Sequence, residues 1–464
     1  MKKIITLISA ITFSLLFFQQ SVGLNLLLFT ITTIISLAIV HPSKINNKTT
    51  IWYSVIYLLT GIAVFFQKSD LTIIANLISF FTVVGAFSEN RTSIYINWIN
   101  GLYSCIVSVF AIYFEKQNSN VISTSNTNNQ KKFVSNLKIT IPTIIVVVVF
   151  IVLYSKGNPV FSDLLSKIDL SFINFKWILF TGLGYYLFNN ILNPIKIEPA
   201  TNTDLTTGNL LLQNKLKETS TDNLKNENKL ATVLILTLNV LIILFLVTDF
   251  VYISKLHYLS AAEISKQVHN GVYTLIISIV LAIAIILYFF RGHLNFYKEN
   301  KKLKTLTIVW IVLNLLLSVS TSIKNIEYIT SFGLTYKRIG VLIYLLLAIS
   351  GLITTFIKVN QQKNIWYLFR QNATIAFSIL VMFSFINWDA IISKYNLYTA
   401  EVIDMEYLLN LSNNNTFALK AYIDKGNNVS FRQQEEIESK HANYVSQLKR
   451  NSWQEMVADN LTIE

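Results

Sequence analysis

The stretch Ser260–Phe290, SAAEISKQVHNGVYTLIISIVLAIAIILYFF, decides the fold. Its second half is apolar over the length a helix needs to cross the hydrocarbon layer of a bilayer, about 20 residues for roughly 30 Å. Its first half carries Glu263, Lys266 and His269, three residues apart, which a helix sets on one face. The basic turn Arg291–Lys304, RGHLNFYKENKKLK, comes next, followed by a further apolar run that ends in Ser331–Val341, SFGLTYKRIGV. Apolar segments of this length, joined by short charged turns, read as consecutive transmembrane helices.

The composition of the whole chain agrees. Of 464 residues, 53% are hydrophobic and only 14% charged, whereas soluble domains carry nearer a quarter. The net charge of +13 is spread over loops instead of forming one basic arm. Lysine-rich loops held on one side of a membrane explain it better than nucleic-acid binding. The single cysteine, Cys105, lies in an apolar run and excludes an intramolecular disulfide or a cysteine metal cluster.

Working outward in both directions, the same reading gives spans at Ile4–Phe18, Leu24–Val40, Ile51–Phe66, Leu71–Phe87, Ser93–Tyr113, Ile139–Tyr154 and Trp177–Leu192. It continues with Leu230–Tyr252, Val272–Phe290, Leu306–Val319, Ile339–Val359 and Thr374–Ile386. The first follows two lysines like a secretory signal, but no A-x-A-like cleavage site comes after it, so it reads as a retained span. The β-branched run Ile144–Val152 would suggest a strand in water; in lipid it becomes helix, because the backbone must satisfy its own hydrogen bonds. The expected fold is therefore all-α, a polytopic bundle of about twelve transmembrane helices. Residues 1–113, 139–193 and 230–386 form the spans, 114–138 and 194–229 are polar loops, and 387–464 form a small helical extramembrane tail domain.

Strict alternation places Lys116, Lys131, Lys132, Lys138, Lys196, Lys215, Lys217, Lys225, Lys229, Arg291, Lys298, Lys301, Lys302, Lys304, Lys358, Lys363 and Arg370 on one face and the tail on the other. By the positive-inside rule the lysine-rich face is cytoplasmic and the tail extracytoplasmic. An even number of spans then puts Lys2 and Lys3 outside, against the same rule. Either the N-tail is translocated or one early span, such as the short Ile51–Phe66, is not a span.

Several residues carry candidate chemistry, each with a plainer alternative. Asp249, near the end of its span, reads as a paired or functional buried carboxylate, or as an interfacial anchor. Glu263 and His269, with Tyr273 beyond them, suit a ligand-binding edge at the membrane surface, or the solvated side of an interfacial helix. In GLTYKR, Thr335 suits a helix N-cap, and Lys337 and Arg338 suit an anion, an ion pair or a headgroup anchor. Asn387 and Asp389 follow the last span, where domain packing competes with ligand binding. No H-E-x-x-H, di-acid, P-loop or nucleophile-elbow pattern appears, so no catalytic residue, metal or cofactor is assigned.

Taken together, SAAEISKQVHNGVYTLIISIVLAIAIILYF, FGLTYKRIGV and NWDAIISKYNL with its downstream IDMEYLLNLS resemble a family of bacterial polytopic inner-membrane proteins of unknown function. The segments FFQQSVGLNLLLF and YSKGNPVF extend the resemblance over most of the chain. It implies a multi-pass inner-membrane protein and no particular chemistry. The leading expectation is a non-catalytic protein, regulatory, sensing or scaffolding, with an extracytoplasmic functional face. A secondary transporter is the alternative, supported by Asp249 and by the buried asparagines Asn76, Asn239, Asn314 and Asn372. A membrane enzyme acting on a lipid-linked substrate is the third reading. The expected partners are the lipid bilayer, with no nucleic acid, and a protein or small molecule that the sequence does not name.

Overall fold

The computed structural model describes residues 1–119, 174–213, 221–255, 261–400, 402–427 and 429–463, with most of 143–166. For residues 109–110, 112–119, 162, 164–166, 252–255 and 261–273 it describes the helical backbone alone. The described residues are all-helical apart from turns and one isolated antiparallel bridge between Leu210 and Lys363.

The N-terminal half contains α1 (Lys2–Phe17), α2 (Leu24–Val40), the short α3 (Pro42–Ile45), α4 (Lys48–Phe66), α5 (Asp70–Ser88) and α6 (Ile94–Ser119). After α7 (Pro159–Ser166) and α8 (Phe175–Ile191), α9 (Glu198–Thr206) leads into the C-terminal half. There α10 (Thr221–Lys255), α11 (Ala261–Phe289), α12 (Lys301–Phe332), α13 (Tyr336–Asn360) and α14 (Ile365–Ser384) follow one another. Polar side chains begin many of these helices, as unpaired first-turn N–H groups require. Asn47, Ser69, Asn174, Thr335 and Asn364 each accept a backbone N–H as N-cap.

Two apolar cores result. In the first, Leu16, Phe29, Leu37, Tyr57, Phe80, Phe87 and Phe188 are buried between α1, α2, α4, α5, α6 and α8. Here α5 and α6 approach so closely that a Cβ on Gly85 would collide with the Asn97 backbone, and one on Gly101 with that of Phe81. In the second, Ile235, Ile279, Ile286, Phe290, Trp310, Leu317 and Leu352 join α10 to α13. Helix α14 packs on α13 and also on α4, α5 and α6, so it belongs to both.

Among the described residues, five helices are long and apolar enough to cross a membrane: α4, α5, α10 through Val251, α12 and α13. A sixth follows if α14 and the next helix, bent by 64° at their junction, count as one broken span. By length and composition, this smaller set matches part of the twelve expected spans. Helices α1, α2 and α8, with 16, 17 and 17 residues, are only about 24–26 Å long at 1.5 Å per residue. The span expected at Ile139–Tyr154 falls partly outside the described residues. Within the polar loop expected at 194–229, the described residues include α9, and Leu211 N–H donates to the Gln362 carbonyl at 2.9 Å.

Beyond Asn387 the tail folds into α15 (Trp388–Tyr398), α16 (Met405–Leu409), α17 (Thr416–Asp424) and α18 (Phe431–Arg450). Its core of Ile392, Leu397, Met405, Leu408, Leu419, Tyr422 and Ile437 includes Ile339 from the first turn of α13. The tail is therefore built onto the bundle rather than beside it.

Candidate functional site

The candidate residues divide between the junction under the tail and a charge pair inside the second bundle. At the junction, α12 ends at Gly333, whose φ of 82° and ψ of 175° lie in a region essentially reserved for glycine. A Cβ there would also stand 2.6 Å from Asn396 Oδ1. Glycine lets the turn lie against Asn396 of α15, which accepts from Leu334 N–H at 2.5 Å and donates to the Leu334 carbonyl at 2.9 Å. That pair of bonds fixes the turn to the tail.

The following residues continue the clamp. Thr335 caps α13 by accepting from Arg338 N–H, and Tyr336 N–H donates to the Tyr407 hydroxyl at 3.0 Å. The Tyr336 hydroxyl donates to Asp389 Oδ1 at 2.8 Å, and Ser412 donates to the other oxygen of the same carboxylate. Asp389 is buried, and its two oxygens are thus each met by a hydroxyl, as a buried carboxylate requires. Asn387 caps α15 through Ala390 N–H at 3.0 Å. Lys440 of α18 donates to the carbonyls of Leu409 and Leu411 and to Asn415 Oδ1. Burial pushes its ammonium down to about 8, partly offset by the Asp389 carboxylate.

Among the described residues, no carboxylate pairs with Arg338. Its guanidinium donates to the carbonyls of Phe332 and Gly333 and lies 4.0 Å over the Tyr328 ring. It caps the last turn of α12, where carbonyls without helical partners favour a cation. Lys337, next to it, is exposed.

Asp249 is the embedded carboxylate, 7% exposed on α10. Its partner is Lys324 of α12, with Ser320 one turn earlier donating to its second oxygen. Both ends of the pair are buried and each oxygen is hydrogen-bonded, the condition under which an ion pair survives at low dielectric. Sequence reasoning missed Lys324 because it ended that span at Val319, where the hydropathy falls, whereas α12 continues to Phe332. The candidates Glu263, His269 and Tyr273 lie outside the residues whose side chains are described.

The asparagines act as ties between helices, as amides do in apolar surroundings. Asn76 donates to Thr30 and Thr60, Asn239 to the Leu306 carbonyl at 2.9 Å, and Asn372 accepts from Thr354 at 3.0 Å. Asn314 bonds within its own helix, to the Trp310 carbonyl.

At the opposite end of the bundle, Arg370 on α14 gathers five acceptors. It reaches Asp204 Oδ1 at 3.0 Å, the carbonyls of Asp204 and Thr207 at 2.7 Å each, Asn209 Oδ1 at 2.6 Å and Ser93 Oγ at 3.1 Å. Asp204 also accepts from the Ser93 amide and hydroxyl and from Tyr95. Burial pushes the Asp204 carboxyl up, yet these donors outweigh it and hold it below the usual carboxylate range. Among the described residues, no group of three or more His, Cys, Asp or Glu side chains is arranged to hold a metal.

The comparison with protein families then decides what kind of chain this is, for residues 7–422 match the family described as "Domain of unknown function (DUF4153)". The chain belongs to the DUF4153 family. No curated protein and no solved structure matches it. The DUF4153 match takes in the GLTYKR turn, α15 and the Asp249–Lys324 pair, and it ends at Tyr422 within α17. The last stretch of the tail, including α18 and Lys440, lies beyond it.

Proposed function

We propose that this DUF4153-family chain is a non-catalytic, multi-pass protein of a bacterial inner membrane, regulatory or scaffolding in role, whose functional face is the tail face. The observation that carries the reading is the convergence at one end of the bundle. The GLTYKR turn, the NWDAII helix and the last residues of the tail all meet there. Ser452 bonds Gln20, Glu455 accepts from Ser21 N–H at 2.6 Å, and Leu24 N–H donates to the Met456 carbonyl at 2.7 Å. Two acids at this end are spent on structure: Asp389 on two hydroxyls, Asp404 on the cap of α16. Neither of these junction carboxylates is left to act as a base, which disfavours the enzyme reading.

The tail face is read as extracytoplasmic. Lys2, at the start of α1, donates to Asn193 Oδ1 at 2.7 Å, in the segment after α8 that also holds Lys196. Gln20, just past the other end of α1, meets the tail. If α1 crosses the membrane, the N-terminus and the tail lie on opposite sides, and the number of crossings is odd. Lys2 and Lys3 then share the lysine-rich side, as the positive-inside rule asks. The test is labelling of Glu435→Cys and Lys302→Cys, each in a Cys105→Ala background, with a membrane-impermeant thiol reagent on intact cells. The Glu435→Cys variant is expected to label in intact cells and the Lys302→Cys variant only after the cells are opened. The reverse pattern overturns the orientation and moves the functional face to the cytoplasm.

A second reading, transport, is favoured by one observation, the buried Asp249–Lys324 pair between two helices of membrane length. Ionisable groups at such places commonly mark a solute or proton path.

A further inference from the structure

At the basic end of the second bundle lies a cavity of about 640 Å³, between the end of α11, the end of α13, the start of α14 and the segment 207–212. Its lining includes Leu210, Leu212, Leu287, Ile365 and Trp366, with Arg291 and Lys358 as its cations. Among the described residues of the lining there is no carboxylate. From these features we infer that the cavity is a binding site for one anionic phospholipid, its phosphate between Arg291 and Lys358 and an acyl chain along the leucines.

Lys358 is 2% exposed, and its ammonium donates to the Phe290 carbonyl at 2.7 Å. No carboxylate among the described residues stands within ion-pair distance of it. Taking an ammonium out of water costs several kcal/mol, and one carbonyl dipole returns only part of this. A second buried lysine among the described spans, Lys324, has its aspartate. Lys358 therefore has the setting of a cation built to receive an anion from outside the chain.

Arg291 offers the second donor. Its guanidinium lies 4.0 Å over the Tyr288 ring and 3.9 Å from Glu227, too far for a tight pair, and more than half of its side chain is exposed. An arginine so placed keeps N–H groups free for phosphate, which it binds in forked geometry.

The rest of the lining identifies the occupant as a lipid instead of a free phosphate. Leu210 is 55% exposed, Leu212 45% and Ile365 42%, which leaves large apolar side chains open at the cavity. Inorganic phosphate would cover none of them, while an acyl chain covers them all. The wall is also held in shape: Asn364 N–H donates to the Asn209 carbonyl at 3.0 Å, and Asn364 Nδ2 to the Gly208 carbonyl at 2.6 Å. Trp366 suits the headgroup level of a bilayer. The proposal holds for whichever leaflet this end faces, so it does not rest on the orientation proposed above.

The experiment is native mass spectrometry of the full-length protein, delipidated in detergent and then given phosphatidylglycerol, phosphatidylcholine or inorganic phosphate. One phosphatidylglycerol is expected to stay bound, with phosphatidylcholine much weaker. Lys358→Met and Arg291→Gln are each expected to weaken it roughly tenfold, the loss of one charge-assisted hydrogen bond. Arg291→Gln is the safeguard, because that side chain is exposed and its loss leaves the fold intact. Equal retention of both lipids, or retention unchanged in Arg291→Gln, overturns the site. Binding of inorganic phosphate as tight as that of phosphatidylglycerol overturns the lipid and leaves an anion site.

Discussion

The buried charges of this chain show how a single side chain's partner is chosen. By charge alone Asp249 suits either Lys324 on α12 or Arg338 at the start of α13. It takes the lysine, while Arg338 is held by the Phe332 and Gly333 carbonyls and the Tyr328 ring. The arginine has the better place at a helix C-terminus, where several acceptors meet its fork. The lysine reaches Asp249 from inside the helix and needs one. Removing one member of a buried pair strands the other charge, at a cost of about 3–5 kcal/mol, whereas replacing both with apolar or neutral groups is often close to neutral. Asp249→Asn and Lys324→Met are thus each expected to lower the melting temperature in detergent, and the double variant to recover most of the loss. Arg338→Gln combined with Asp249→Asn is expected to be additive. Recovery in that combination instead would mean that Arg338 is the true partner.

At the scale of elements, most helices were legible because lipid and water impose opposite demands on composition. Leu24–Val40 is observed with the bounds read from its apolar run, and α4, α5, α8 and α13 begin and end within about a turn of the expected spans. The extensions were hidden: α10 starts at Thr221 and α12 runs on to Phe332, because helices continue past the apolar zone wherever neighbours satisfy their polar faces. The cap at Thr335 could be read from residue type; the bonds of Asn396 to the turn could not, for nothing local links residues about sixty positions apart. The same holds for the tail's return to the loop after α1. There the Glu455 carboxyl accepts the Ser21 amide, and that bond chiefly holds it below its ordinary value, with Lys68 contributing. A carboxylate with a depressed folded value stabilises the contact above its unfolded value, near 4.3, and loses it as pH falls through the folded one. Spin labels at Val22 and Leu461 are therefore expected to give a narrow distance distribution at neutral pH that broadens on acidification below the carboxylate range. Glu455→Gln should weaken the contact at neutral pH and flatten its response to acid. A wild-type distribution indifferent to pH would rule out Glu455 as the fastening.

Across the whole molecule, two apolar cores are joined by α14, and the joint is polar at one end. Arg370 projects from α14 of the second bundle to Asp204, Thr207, Asn209 and Ser93, which belong to α9, the segment after it and the entry to α6. A rigid fork of five donors satisfies all of these acceptors, whereas a lysine in its place has three donors around one point. The side chains of the pair are 16% and 4% exposed, so water does little to replace what is lost. The same contacts fix Thr207 and Asn209 in the wall of the cavity at this end. Arg370→Ala is accordingly expected to cost about 3–5 kcal/mol, seen as a lower melting temperature in detergent and as new protease cleavage within 207–213. Arg370→Lys should recover little of either. Asp204→Asn is expected to act in the same direction but less, since the guanidinium keeps its carbonyl acceptors. If Arg370→Ala melts as the wild type does and gains no cleavage, the apolar contacts of α14 with α4, α5 and α6 suffice to join the halves, and Arg370 serves the 207–212 segment alone.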